Sequence, residues 1–155
     1  MKQPRILFYV KRNLHLPHVE PILRWLEEHA PEALLRVSAP PWVTPTEGLP
    51  GNGLTSDEIG EIKANNLDWL SYDDISSWSP DATIMADADY AGLFWSGKLV
   101  NVNHGLISKG WYYTNKPGVQ RENLADLVCV PGPHHAEVLT SALNTPVVAT
   151  GLVKF

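Results

Sequence analysis

The sequence predicts an α/β domain: a mostly parallel sheet of about six or seven strands with helices on both faces, three layers in all. Three observations lead there. Short apolar runs rich in β-branched and aromatic residues recur along the chain, bounded by Pro, Gly, Asn or Asp. Between them lie segments whose apolar residues fall at helical spacing. The two kinds alternate, and a parallel pair of strands needs a crossover of the sort those segments supply.

The first run, Ile6-Leu7-Phe8-Tyr9-Val10, is a buried strand. A loop with His15 and His18 comes next. Val19, Ile22, Leu23 and Leu26 then share one face of a helix that Pro31 ends. Leu34-Leu35-Arg36-Val37 is the second strand. Pro40 to Gly53, dense in Pro and Gly, is a long loop of the kind that is often functional or mobile. Thr55-Ser56-Asp57-Glu58 is a capping box that opens a short helix with Ile59 and Ile62 inward. Asp68-Trp69-Leu70-Ser71-Tyr72 is expected as a third, weaker strand.

Ser79-Pro80-Asp81 is a turn, Ala82 to Ala86 the fourth strand, and Lys98 to Asn103 the fifth. Ile107 to Gly118 has no clear period. Glu122-Asn123-Leu124 closes a short helix before the sixth strand, Leu127 to Val130. Pro131-Gly132-Pro133 is a tight turn, with Pro133 suited to a first helical position. Val138, Leu139, Ala142 and Leu143 form the apolar face of the last helix. Pro146 to Thr150 is the seventh strand, stopped by Gly151.

Composition narrows the function. The 155 residues suit one domain, and 44% hydrophobic residues with six Trp argue against disorder. The net charge is −5 and the basic residues are scattered, so no nucleic-acid or anionic-membrane patch is expected. No apolar run approaches the roughly 18 to 20 residues that span a bilayer. The short N-terminal apolar run, with Lys11-Arg12 after it, is a strand rather than a signal peptide, which implies a cytoplasmic protein. The one cysteine, Cys129, excludes an internal disulfide and lies in an apolar run, as a buried structural thiol does.

Chemistry is expected first at Leu99-Val100-Asn101-Val102-Asn103-His104-Gly105. There an apolar strand ends in a titratable ring and a glycine that lets a ligand approach the backbone. Ligands of open α/β sheets bind beyond the carboxyl ends of the strands. A neutral His104 at that edge suits a general base for a hydroxyl proton. The alternative is a histidine that only hydrogen-bonds a loop carbonyl. Lys109 and Arg121 are candidates to neutralise phosphate charge, against a role as solvated surface charges.

His15-Leu16-Pro17-His18 occupies the same predicted edge. No cysteine or acidic cluster nearby completes a metal site, so a substrate-facing loop is the expectation for His15, and an ordinary first-turn position for His18. Asp87 and Asp89 come after the fourth strand and suit acid–base work, a divalent cation, or plain loop capping. Gly132 opens the last helix, where backbone N–H groups suit an anion, and His134 and His135 are surface residues. There is no Gly-x-Gly-x-x-Gly, Walker or Gly-x-Ser-x-Gly motif, which argues against dinucleotide, P-loop and serine-hydrolase sites.

From Leu99 onward the order of these pieces resembles the N-terminal domain of the CDP-glycerol glycerophosphotransferases of teichoic-acid synthesis, within the GT-B glycosyltransferase-like proteins. The matching pieces are the strand into His104-Gly105, Lys109, Arg121 before Ala125-Asp126-Leu127-Val128-Cys129-Val130, Gly132, and Pro146 to Gly151. The resemblance implies a single Rossmann-like domain over residues 1–155, the acceptor-side half of a larger two-domain protein. His104 is then the acceptor-side base, and His15, Gly105, Lys109, Arg121 and Gly132 line the substrate cleft.

The implied partners are a nucleotide-activated donor (CDP-glycerol or a nucleotide-sugar), a polyol or glycan acceptor, and a C-terminal donor-binding domain beyond Phe155. No cofactor, metal or nucleic acid is expected. Envelope polymer synthesis implies work at the inner face of the membrane. On this reading the isolated domain is inactive. The competing expectations are a UDP-sugar 2-epimerase-like domain and a stand-alone binding or regulatory domain with a degenerate site.

Overall fold

The computed structural model describes residues 2–47, 51–87, 97–103 and 125–151. Among the described residues six strands form one sheet, and every pairing is parallel. They are β1 (Arg5–Tyr9), β2 (Leu34–Ser38), β3 (Ala82–Met85), β4 (Lys98–Asn101), β5 (Leu127–Val130) and β6 (Val147–Ala149). Their order across the sheet is β2-β1-β3-β4-β5-β6. The order therefore reverses between β1 and β3: the chain first builds outward to β2, then returns past β1 and continues the other way.

Among the described residues the helices are α1 (Leu16–His29), α2 (Ser56–Ala64), α3 (Ile75–Trp78) and α4 (Pro133–Ala142). They divide between the two faces. Val19 and Leu23 of α1 and Ile62 of α2 pack with Phe8, Val10, Val37 and Cys129 on one side. Ile75 of α3 and Leu139 of α4 pack with Leu7, Tyr9, Met85, Val128 and Val130 on the other. Alternate residues of each central strand thus enter opposite apolar layers. This explains why the strands read as unbroken apolar runs and not as alternating ones. The result is the Rossmann-like three-layer sandwich that the alternation predicts.

Local chemistry sets the element ends. The Thr55 hydroxyl accepts from the Glu58 N–H at 3.3 Å, and the Glu58 carboxylate accepts from the Thr55 N–H at 2.8 Å. That reciprocal pair is the expected capping box. Pro133 starts α4, where a missing N–H costs nothing. Gly97 precedes β4 at φ +110°, and a Cβ there would lie 2.3 Å from the Pro80 carbonyl oxygen. Only glycine fits that approach.

One expected strand is absent. Asp68 to Tyr72 makes a single bridge, Val37 to Trp69, on the outer edge of β2. Val37 N–H donates to Asp68 O and Leu70 N–H donates to Val37 O, after which the chain turns away. A 3-10 turn at Tyr72–Asp74 leads into the short α3, and Leu70 and Ile75 are drawn into the core. Tertiary burial of these apolar side chains outweighs the local strand pattern. The sixth predicted strand is β5 and the seventh is β6, so among the described residues the sheet has six members. The short helix expected at Glu122 to Leu124 lies outside the described residues. Among the described residues no helix is long and apolar enough to cross a membrane.

Candidate functional site

The carboxyl ends of β1, β3, β4 and β5 lie side by side, and polar residues gather along that edge. After β1 come Val10, Lys11 and Arg12, then a 3-10 turn over Asn13–His15 that leads into α1. His15, expected in a substrate-facing loop, is buried. After β3 come Ala86 and Asp87. The two ends meet: His15 Nε2 lies 3.9 Å from Asp87 Oδ2, with the side chains 2% and 16% exposed. This is an ion-pair separation and longer than a hydrogen bond.

The end of β4 is held more tightly. Val102 N–H donates to Met85 O at 2.8 Å, continuing the ladder toward β3. Asn103 then turns into the left-handed region at φ +56°. Its N–H donates to Asn101 Oδ1 at 2.9 Å, and its Nδ2 donates to Cys129 O at 2.8 Å. Asparagine tolerates this backbone conformation because its short polar side chain can bond locally. Asn101 and Asn103 are both buried, so the end of β4 is pinned to the end of β5 before the chain continues to His104.

Ser38, at the end of β2 and in register with Tyr9, is fully buried. Its Oγ and the Nε of Arg12 are buried polar atoms without a hydrogen-bond partner. Such atoms are rare in proteins and mark a place where water or ligand supplies the missing bond. Lys11 is also buried at this edge, and its carbonyl accepts from the Gly53 N–H at 2.9 Å. Gly53, where the long loop ends, is thereby tied to the rim of the sheet. Among the described residues no three His, Cys, Asp or Glu side chains gather as a metal site.

The sequence-predicted residues divide in two. His104, Gly105, Lys109 and Arg121 lie outside the described residues, as does Asp89. His15 and Gly132 are described, and both stand at carboxyl ends of strands, His15 after β1 and Gly132 after β5. Gly132 caps α4 in an extended conformation, and a Cβ built on it would meet nothing. The fold itself therefore does not require glycine there. His134 is exposed on the first turn of α4, with the half-buried His135 beside it. Cys129 is buried, and burial pushes its thiol pKa up, the opposite of an activated nucleophile.

Reading along the chain passes over Ser38 and Asn101, which look like ordinary strand positions. Their signal is a polar residue in the last third of an apolar run. A hollow of about 370 Å³ lies at the other end of the sheet, where Leu23, Ala30, Pro31, Leu34, Asn66 and Asp68 line it. It is remote from these groups. Comparison of the sequence with protein-family models and with curated proteins finds no match.

Proposed function

We propose that this chain is the acceptor-side domain of a transferase that moves glycerophosphate, or a sugar, from a nucleotide-activated donor to a polyol or glycan. The observation that carries the proposal is the polar carboxyl rim of the sheet. The pinned Asn103 stands just before His104 in the sequence and just past β4, which lies beside β3, the strand that Asp87 follows by two residues. Reactions of open α/β domains take place at that rim. In the transfer, His104 takes the proton of the acceptor hydroxyl as its oxygen forms a bond to the donor phosphorus. The bond from that phosphorus to the CMP oxygen breaks, and CMP leaves with the electron pair. Lys109 and Arg121 neutralise the charge that develops on the phosphoryl oxygens. With a nucleotide-sugar the same base assists attack at the anomeric carbon.

The experiment is release of CMP from CDP-glycerol by the full natural chain, run beside a panel of UDP-sugars with polyol and glycan acceptors. His104→Ala is expected to lower kcat at least about a hundredfold, the usual minimum for loss of a general base, with its melting temperature unchanged. Turnover by His104→Ala close to that of the wild type overturns the assignment. No turnover of any donor by the wild type overturns the transferase reading.

A further inference from the structure

Four arginines are described, and three of them have a partner. Arg5 Nε lies 3.9 Å from Asp81, Arg24 pairs with Glu20 and Glu27, and Arg36 covers the Trp78 ring at 5.4 Å. Arg12 differs. Among the described residues its guanidinium meets no carboxylate, and its Nε is shut away from water without a hydrogen bond. A guanidinium is always charged, and a charged donor left unpaired away from water is costly. The cost falls at a telling place. Arg12 stands just past β1, one of the two strands at which the strand order reverses, where ligands of open α/β sheets bind.

A second unmet group stands beside it. The peptide unit that joins Lys11 to Arg12 accepts, through Lys11 O, the N–H of the unit that joins Asn52 to Gly53, at 2.9 Å. Asn52 and Arg12 are neighbours across that bond. The backbone of Asn52 is spent on Val43, with one bond in each direction. Its side-chain Oδ1 is buried and has no hydrogen-bond partner. Gly53 fixes this approach: at φ +79° a Cβ would lie 2.6 Å from Pro40 O. The two unmet atoms are therefore held in place by backbone, as a preorganised contact requires.

Their chemistry is complementary. The edge of a guanidinium formed by Nε and one Nη matches the two oxygens of an oxyanion. An amide oxygen accepts, so it asks for a donor such as a hydroxyl. One cation balances one negative charge; Lys11, buried beside it, already has an interaction of its own. A carboxylate fits that balance, whereas a phosphate dianion brings a second charge into a partly dry place.

We propose that Arg12 and Asn52 form a receptor for a hydroxy acid: Arg12 takes the carboxylate and Asn52 Oδ1 accepts the neighbouring hydroxyl. The site gives the crevice an anchor for an acidic sugar or a polyol acid. It does not depend on the transferase reading.

The test is calorimetry on the full natural chain with glycolate, acetate and inorganic phosphate. Glycolate is expected to bind about fivefold or more tightly than acetate, the range of one neutral hydrogen bond, and phosphate more weakly than glycolate. Arg12→Gln is expected to weaken both acids about tenfold or more, as loss of a charge-assisted bond does. Its melting temperature should be equal to that of the wild type or higher, because the variant removes a charge that the free protein leaves unmatched. Asn52→Ala is expected to bring glycolate down to the affinity of acetate and to leave acetate within about twofold. Should Asn52→Ala not fold, the wild-type ratio of glycolate to acetate carries that arm.

No binding of glycolate by the wild type overturns the proposal, as does glycolate affinity unchanged in Arg12→Gln. Acetate or phosphate bound as tightly as glycolate also overturns it. A marked fall in the melting temperature of Arg12→Gln assigns Arg12 to the fold and overturns it as well.

Discussion

The two ends of this sheet use carboxylates and amides in opposite ways. At the amino end, Asp81 stands just before β3 and Asp126 just before β5. Asp81 accepts from Lys2 Nζ at 2.8 Å and from the Arg5 N–H of β1 at 2.9 Å. Asp126 accepts from Lys98 Nζ at 2.7 Å and from the Leu99 N–H of β4 at 2.9 Å. The same clamp is built twice, each time from one inner strand to its neighbour. Both carboxylates are exposed, so water shares the work of stabilising them. At the carboxyl end the polar groups are buried: Ser38, Asn101, Asn103, Lys11 and His15. There the loss of one partner strands another away from water. Exposed polar groups at one end close the sheet at little cost, and buried ones at the other give it a defined chemical rim.

Asn103→Leu should break the carboxyl end most severely. It removes the donor to Cys129 O and places a branched side chain in the left-handed region. The lost bond and the strain together predict a loss of about 3 kcal/mol in urea denaturation. Asn103→Gly keeps the conformation free of strain and should lose distinctly less. A loss as large in the glycine variant would mean that strain plays no part.

Cys129 reports the same region from within. Its thiol is buried and its pKa is raised, so a thiol reagent should label the native protein only as fast as the region opens. Asn103→Leu should speed labelling by about tenfold to a hundredfold, while Asp126→Asn at the other end should leave the rate unchanged. Equal acceleration by both would show that the two ends open together.

The smallest effect is expected at the amino end. The pKa of Asp81 is held below the usual carboxylate range first by Lys2 and then by the Arg5 N–H; Lys98 and the Leu99 N–H do the same for Asp126. A carboxyl whose folded pKa is depressed stabilises the fold above its unfolded value, near 4, and loses that contribution as the pH falls through the folded value. Asp81→Asn combined with Asp126→Asn should therefore lower stability slightly near neutrality, leave it unchanged in strong acid, and so flatten the acid limb below about pH 4. An acid limb as steep as that of the wild type would assign acid sensitivity to the other end.

Much of the fold is legible in the chain because its signals are local. Ile6 to Val10, Ala82 to Ala86 and Leu127 to Val130 announce strands because both faces of a central parallel strand are buried. Thr55 and Glu58 announce a helix start because the capping bonds span only three residues. Asp68 to Tyr72 misleads because its alternation of apolar and polar residues is equally satisfied by one bridge and a turn into α3. The site is less legible. His15 and Asp87 can each be singled out by residue type and by position after a strand, but neither points to the other. Ser38 and Asn101 carry almost no signal, since burial of a strand residue depends on what packs over it.

The sequence alone determined the class of fold, the parallel sheet and most element boundaries, because hydrophobic period, caps and proline act over a few residues. Only the tertiary structure decided the strand order. That order puts the reversal between β1 and β3 and brings His15 to within 3.9 Å of Asp87. Contacts between residues so distant along the chain arise from how the crossovers pack on the two faces, which no local pattern encodes.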